Sequence, residues 1–231
     1  MSVQFVRQTV AEMGRCNAFY YFLGRFLQRL SRNRAGVVRY YFVAQPIPEK
    51  ETAPLRPSAA SSIRQVGQAD PIVSHFPRPA PVIAHRFADE NLCFVAEHKE
   101  RFAGFIWFAR DAYEEDEARC RYVLERPDLT VWDYDVYIEP EFRIGRTFSR
   151  LWETANQALS AQGIRWSLSR ISAFNTASLA VHSRLGIRKL GTGTFIILWA
   201  VQIALFDRAP FVHIGLSRRY RPVLSFSPPG D

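Results

Sequence analysis

Cysteine is scarce in this sequence and poorly spaced for chemistry. Cys16, Cys93 and Cys120 are odd in number and form no CxxC pair, which argues against a disulfide framework and against a zinc knuckle. A reducing cytoplasm is the expected compartment. Long apolar runs are missing as well: the longest uncharged one, residues 194–206, is shorter than the roughly 20 residues that cross a bilayer. The first 30 residues carry Arg7, Glu12, Arg15, Arg25 and Arg29 along their whole length, so they lack the separate basic and apolar regions of a secretory signal. The sequence also has no GxSxG elbow, no HExxH, no Walker loop, no dinucleotide-binding glycine fingerprint and no internal repeat. His75, His85, His98 and His213 are scattered without ligand spacing, and no metal is expected.

Acids are rare in one stretch only. Before Tyr40 there are seven arginines against Glu12, which places six of the eight excess positive charges there. Such a segment suits nucleic acid, an anionic membrane surface or an acidic partner, or it is a solvated helix face. RYYF and SRRYRP mix arginines with aromatics, but no nucleic-acid-binding motif accompanies them, so no nucleic-acid partner is expected.

What is present is a globular composition, 48% hydrophobic and 14% aromatic over 231 residues, enough for one domain with an extension. Apolar residues at helical spacing predict a long amphipathic helix over residues 3–30, followed by a short strand at 37–43. Prolines and serines between 46 and 62 mark a connection. The expected organisation is an N-terminal segment at 1–60, a core at 61–206 and a C-terminal extension at 207–231. In the core, 63–66 reads as a strand, 70–76 and 81–88 as short helices, and 92–97 with 102–109 as a hairpin. An acidic loop at 111–117 and a strand at 121–124 follow. A stronger strand at 130–138 places Asp133, Asp135 and Tyr137 on one face at period two. Residues 147–162 form a helix closed by Gly163, 165–171 a strand, 176–185 a helix stopped by Gly186, and 187–198 a strand. The order predicts an α+β or α/β sheet with one parallel crossover.

Three pieces of this pattern, in order, resemble the GCN5-related N-acetyltransferase (GNAT) superfamily over residues 61–205. They are the hairpin ending AGFIWF, the strand, turn and helix start VYIEPEFRIGRTFSRLW, and NTASLAVHSRLGI. The resemblance implies an α+β fold with a mixed, mostly antiparallel central sheet flanked by helices, and transfer of an acyl group from acetyl-CoA, or another acyl-CoA, to a small-molecule or protein amine by direct attack in a ternary complex. It implies that Val136, Tyr137 and Ile138 offer main-chain groups of a bulged strand to the pantetheine arm. Arg143, Ile144, Gly145, Arg146, Thr147 and Phe148 would hold the diphosphate at a helix start, where backbone N–H groups form a positive nest. Gly145 stands one place early for the family's turn, and Arg146 and Phe148 occupy the places of small residues. Asn175 would contact pantetheine, although it is also a natural helix N-cap. His182 would serve as the general acid for the leaving thiolate, with Asp135 or Asp133 as general base. The family often forms dimers, so a homodimer is expected, with peripheral membrane contact through the N-terminal helix as the competing use of its exposed aromatic face. A non-catalytic binding module of this fold, or an acyl- or aminoacyl-transferase at a membrane surface, are the alternative readings.

Overall fold

A computed structural model describes residues 2–49, 61–115 and 117–230. Along the chain run α1 (Val3–Ser31), β1 (Ala35–Pro46), β2 (Ser61–Val66), a 3-10 turn (Pro71–His75), α2 (Ala80–Ala88), β3 (Leu92–His98), β4 (Arg101–Ala109), β5 (Ala112–Glu114), β6 (Arg121–Leu124) and β7 (Thr130–Ile138). A second 3-10 turn (Pro140–Phe142), α3 (Thr147–Ala161), β8 (Trp166–Ser172), α4 (Thr176–Arg184), β9 (Arg188–Leu198), β10 (Val201–Phe206), β11 (Val212–Gly215) and β12 (Val223–Phe226) complete it. The expected α+β class, with antiparallel pairing dominant, is the class observed.

These elements form two compact units from interleaved parts of the chain: residues 1–45, 112–125 and 168–231, and residues 46–111 and 126–167. The N-terminal and C-terminal segments, read from sequence as flanking a core at 61–206, thus share the first unit. Positions 50–60, which hold much of the proline-rich connection, and position 116 of the acidic loop lie outside the described residues.

In the first unit the strand order is β11-β10-β9-β1-β8, beside a small sheet ordered β12-β6-β5. β1 pairs with β9 in antiparallel register from Ala35 opposite Leu198 to Ala44 opposite Arg188. Aromatic rings fill the space toward the small sheet, Phe42 lying 5.4 Å from Tyr122 and 4.9 Å from Phe226. The buried Glu115 carboxylate is bound there by Arg170, whose guanidinium stacks 4.7 Å from the Tyr40 ring. Ser2 caps the start of α1 by accepting from the Phe5 N–H at 3.3 Å, but the predicted single long helix is corrected. Gly14, at φ +79° and ψ 162°, leaves helical geometry, a conformation that glycine adopts without steric cost. The Phe5 and Phe22 rings then meet at 6.2 Å, whereas a straight helix at 1.5 Å per residue would hold them about 25 Å apart. The element is two helices folded on each other. The second docks on β1: the Asn17 side chain donates to Tyr41 at 2.7 Å and accepts from Arg39 at 3.0 Å.

In the second unit the order is β7-β4-β3-β2. The β3–β4 hairpin turns through Lys99 and Glu100, both at positive φ, as a two-residue turn matched to strand twist requires. The apolar stripe of α3, Leu151, Trp152, Ala155 and Leu159, is buried against Phe94, Ile106 and Phe108. Leu151 and Leu159, both fully buried, contribute about 1.5–3 kcal/mol each, so α3 is fixed to one sheet face. On the other face Phe76 packs on Phe105 at 4.9 Å and Phe87 on Trp107 at 4.8 Å.

Candidate functional site

The geometry of β7 decides what this region can do. Its register with β4 runs Asp133 opposite Phe108, Tyr134 opposite Trp107, Tyr137 opposite Phe105 and Ile138 opposite Gly104. Asp135 and Val136 therefore share a single partner, Ile106, and the strand carries a one-residue bulge. Asp135 takes the left-handed conformation at φ +47°, which aspartate tolerates better than most residues. Bulges interrupt the ladder and re-aim side chains, and they recur beside binding sites. Past the bulge the strand is pressed against β4, because a Cβ on Gly104 would stand 2.4 Å from the Tyr137 carbonyl oxygen and 2.7 Å from Ile138 Cδ1. Only glycine permits that approach.

The bulge also overturns one expectation. Asp133, Asp135 and Tyr137 do not share a face, because the extra residue resets the alternation. Asp133 lies with its partner Phe108 on the α3 side, is buried, and accepts a hydrogen bond from Ser167 Oγ at 2.8 Å. Asp135 points to the opposite side. There Arg78 Nε donates to its Oδ2 at 2.9 Å and Arg78 Nη2 to its Oδ1, while Arg86 Nη1 donates to Oδ2 at 2.6 Å. Both carboxylate oxygens are thus engaged by guanidinium groups. Such a carboxylate anchors the bulge, its oxygens bound by the two guanidinium groups. Arg86 is itself buried, its guanidinium 5.3 Å from the Trp107 ring centre and 5.1 Å from that of Tyr134. Cys93 behind this clamp has its thiol pushed well above the ordinary range by burial, so it is an inert thiol.

Val136, Tyr137 and Ile138 line a cavity of about 380 Å³ together with Arg143 and Phe148. Arg143 Nε donates to the Ile138 carbonyl at 3.0 Å, tying the turn back to the strand end. Ile144, Gly145 and Arg146 are exposed on the turn. Arg146 is the N-cap of α3 and makes no side-chain cap, and the first turn, beginning with Thr147 and Phe148, holds no acid. Uncapped N–H groups with two arginines beside them form a ready anion site. A second cavity of about 430 Å³ in the same unit is lined by Ile72, His75, Glu100, Phe102, Glu139 and Glu141, with Arg101 paired to Glu141.

Asn175 and His182 belong to the first unit. Asn175 Oδ1 accepts from the Ser178 N–H at 3.0 Å, the N-cap role. His182 is half-buried on α4, and burial lowers its pKa from the ordinary imidazole value. At neutral pH the ring is therefore neutral, a form suited to accepting a proton and lacking the extra one an imidazolium acid would give. Arg78 and Arg86 escaped sequence reading, since nothing local links them to a residue some fifty positions later. Gly104 had a readable signal, a lone glycine within an apolar strand. Among the described residues, no group of three or more His, Cys, Asp or Glu side chains is placed to hold a metal ion, and no helix is long and apolar enough to cross a membrane.

No protein-family model and no curated protein matches the sequence. The fold, however, has solved counterparts. A functionally unknown conserved protein from Staphylococcus epidermidis aligns over 74% of this chain and 66% of its own, with 14% identity and a TM-score of 0.50. A protein described as a GNAT-family acetyltransferase from Novosphingobium aromaticivorans aligns over 68% of this chain and 62% of its own, at 15% identity and TM-score 0.46. A tandem GNAT protein from the clavulanic acid biosynthesis pathway aligns over 66% and 50%, at 15% identity and TM-score 0.45. This chain spans about half to two thirds of the length of those three. The structures it is similar to are mostly GNAT acetyltransferases, at 10 to 20% identity, and the likeness is one of fold.

Proposed function

We propose that the chain is an acyl-CoA-dependent N-acyltransferase, with acetyl-CoA as the donor and a cationic amine as the acceptor. The observation that carries this reading is the bulged strand end at Asp135–Val136, followed within one turn by an uncapped, acid-free helix start flanked by Arg143 and Arg146. The cavity along Val136, Tyr137 and Ile138 accommodates a slender apolar-and-amide arm, and the α3 start accommodates phosphate. When bound, an acyl-CoA supplies an activated thioester. The protein's part is to hold the donor, admit a neutral amine and manage one proton as the amide forms and the thiolate leaves. Glu100 and Glu139 at the second cavity suit an amine that arrives as a cation. The roles of Asn175 and His182 rest on the NTASLAVHSRLGI motif.

A second reading is favoured by Phe148, a large ring that lines the cavity where the resembling family has a small residue. It is that of a non-catalytic module with the same fold. Titration calorimetry of the full chain with acetyl-CoA and with CoA separates the two. The transferase reading expects saturable binding, weaker for dephospho-CoA if arginine charge meets the ribose phosphate. No heat with any CoA species removes it.

A further inference from the structure

The sheet of the first unit has two faces, and only one is closed. On β10, Gln202, Ala204 and Phe206 are buried beneath one face, while Val201, Ile203 and Leu205 alternate onto the other and are half-exposed. The pairing carries this second face outward: Ile203 stands opposite Ile196 on β9 and Ile214 on β11, and Leu205 stands opposite Val212. Ile214 and Val212 are each 58% exposed. Thr194, which binds Arg39 beneath α1, is opposite Leu205, so this is the face on which α1 lies. Thr192 and Thr194 on β9 are buried on this face, but farther out Ile196, Val201, Ile203 and Leu205 are half-exposed and Val212 and Ile214 on β11 are exposed. The outer stripe of α1, Phe19, Phe26 and Leu30, is also exposed. Aliphatic side chains on both faces of a sheet, with one face uncovered toward its edge, mark an interaction surface.

The surrounding charge selects the occupant. Residues 1–34 hold six arginines and one acid, and between 188 and 216 the only acid is Asp207, whose Oδ1 already accepts from the Thr192 N–H at 2.9 Å. Trp199, 58% exposed at the β9–β10 turn, donates its backbone N–H to the Arg34 carbonyl at 3.1 Å, which joins the turn that carries this indole to the arginine-rich end of α1. A second copy meeting this face by twofold symmetry would bring arginine against arginine. Nucleic acid would leave the aliphatic face wet. We infer that the α1–β9–β10–β11 face docks on an anionic lipid surface, its aliphatic and aromatic side chains entering the interface and its arginines meeting lipid phosphates.

The test is flotation of the full-length protein with neutral phosphatidylcholine vesicles and with mixed phosphatidylcholine–phosphatidylglycerol vesicles. Partition onto the anionic vesicles is expected to exceed that onto neutral ones by about tenfold or more and to fall in high salt. Brominated acyl chains should quench Trp199, read as the signal lost in Trp199→Phe, and this reading requires no destabilising variant. The double substitution Val212→Glu with Ile214→Glu should abolish flotation while leaving the thermal melt unchanged. No binding to anionic vesicles, or unquenched Trp199, overturns the inference. So does a dimer mass in light scattering that the double substitution splits, since a second copy would then cover the face.

Discussion

The β7-to-α3 segment and the α4 segment carry the two halves of the motif read in the sequence, yet the structure holds them in place by different means. The first is fixed from far away: Arg78 and Arg86 grip Asp135, Gly104 admits the Tyr137 carbonyl, and the α3 stripe is buried in the core. The second is closed on itself. Asn175 caps its own helix, and no residue of α4 is fully buried. A segment whose backbone must present main-chain groups at a set position needs outside support, because a bulge alone leaves the strand free to slip by a residue. A short capped helix that presents side chains needs less. Changes that act on distant supports should therefore damage the first segment strongly, and changes within α4 should have small, local consequences.

The largest effect is expected for Arg86→Ala. It removes a buried guanidinium and leaves the Asp135 carboxylate, largely shielded from water, with Arg78 alone. Breaking a buried ion pair from one side costs about 3–5 kcal/mol, so urea unfolding should show a loss near the lower end of that range. Adding Asp135→Asn should recover part of it, because the uncompensated charge is then gone. A loss under about 1 kcal/mol would mean the clamp is not what holds the bulge.

Next comes Gly104→Ala. The added methyl would collide with the Tyr137 oxygen and Ile138, and overpacking of this kind costs about 1–3 kcal/mol. Because the strain falls on the strand end that lines the cavity, acetyl-CoA affinity in calorimetry should drop along with stability. Unchanged affinity beside reduced stability would separate the close strand approach from ligand binding.

Most of the frame was legible because its signals are local. The β3–β4 hairpin, β7, α3 and α4 each show their period and their end signals within the segment itself. What was hidden has specific causes. The run 194–206 contains two strands, and the turn between them has no glycine, proline or asparagine to announce it; Trp199 makes the reversal at φ +56°. β11 and β12 have four residues each, too few for alternation to stand out. A bulge adds one residue without any marker, so period-two counting carried Asp133 and Asp135 onto a common face that does not exist. Gly14 lies inside a run of helical apolar spacing, which does not register that a glycine can end one helix and start another, as it does here.

The smallest effect belongs to α4. Burial lowers the pKa of His182, so the folded protein resists protonating it and the unfolded chain binds that proton more readily. By linkage, the stability associated with the neutral ring is complete above the ordinary imidazole value near 6.5 and is lost as pH falls below it, until the folded-state value is passed. His182→Gln should remove that slope and change stability little at neutral pH, in contrast to Arg86→Ala. The same shift bears on catalysis. A neutral ring that takes the proton of the attacking amine makes kcat/KM rise with pH and level off at or below about pH 6.5. An imidazolium acid makes kcat/KM decline as pH climbs through the same range. A decline that His182→Gln abolishes would restore the acid role and show that the half-buried ring gains a partner in the loaded enzyme.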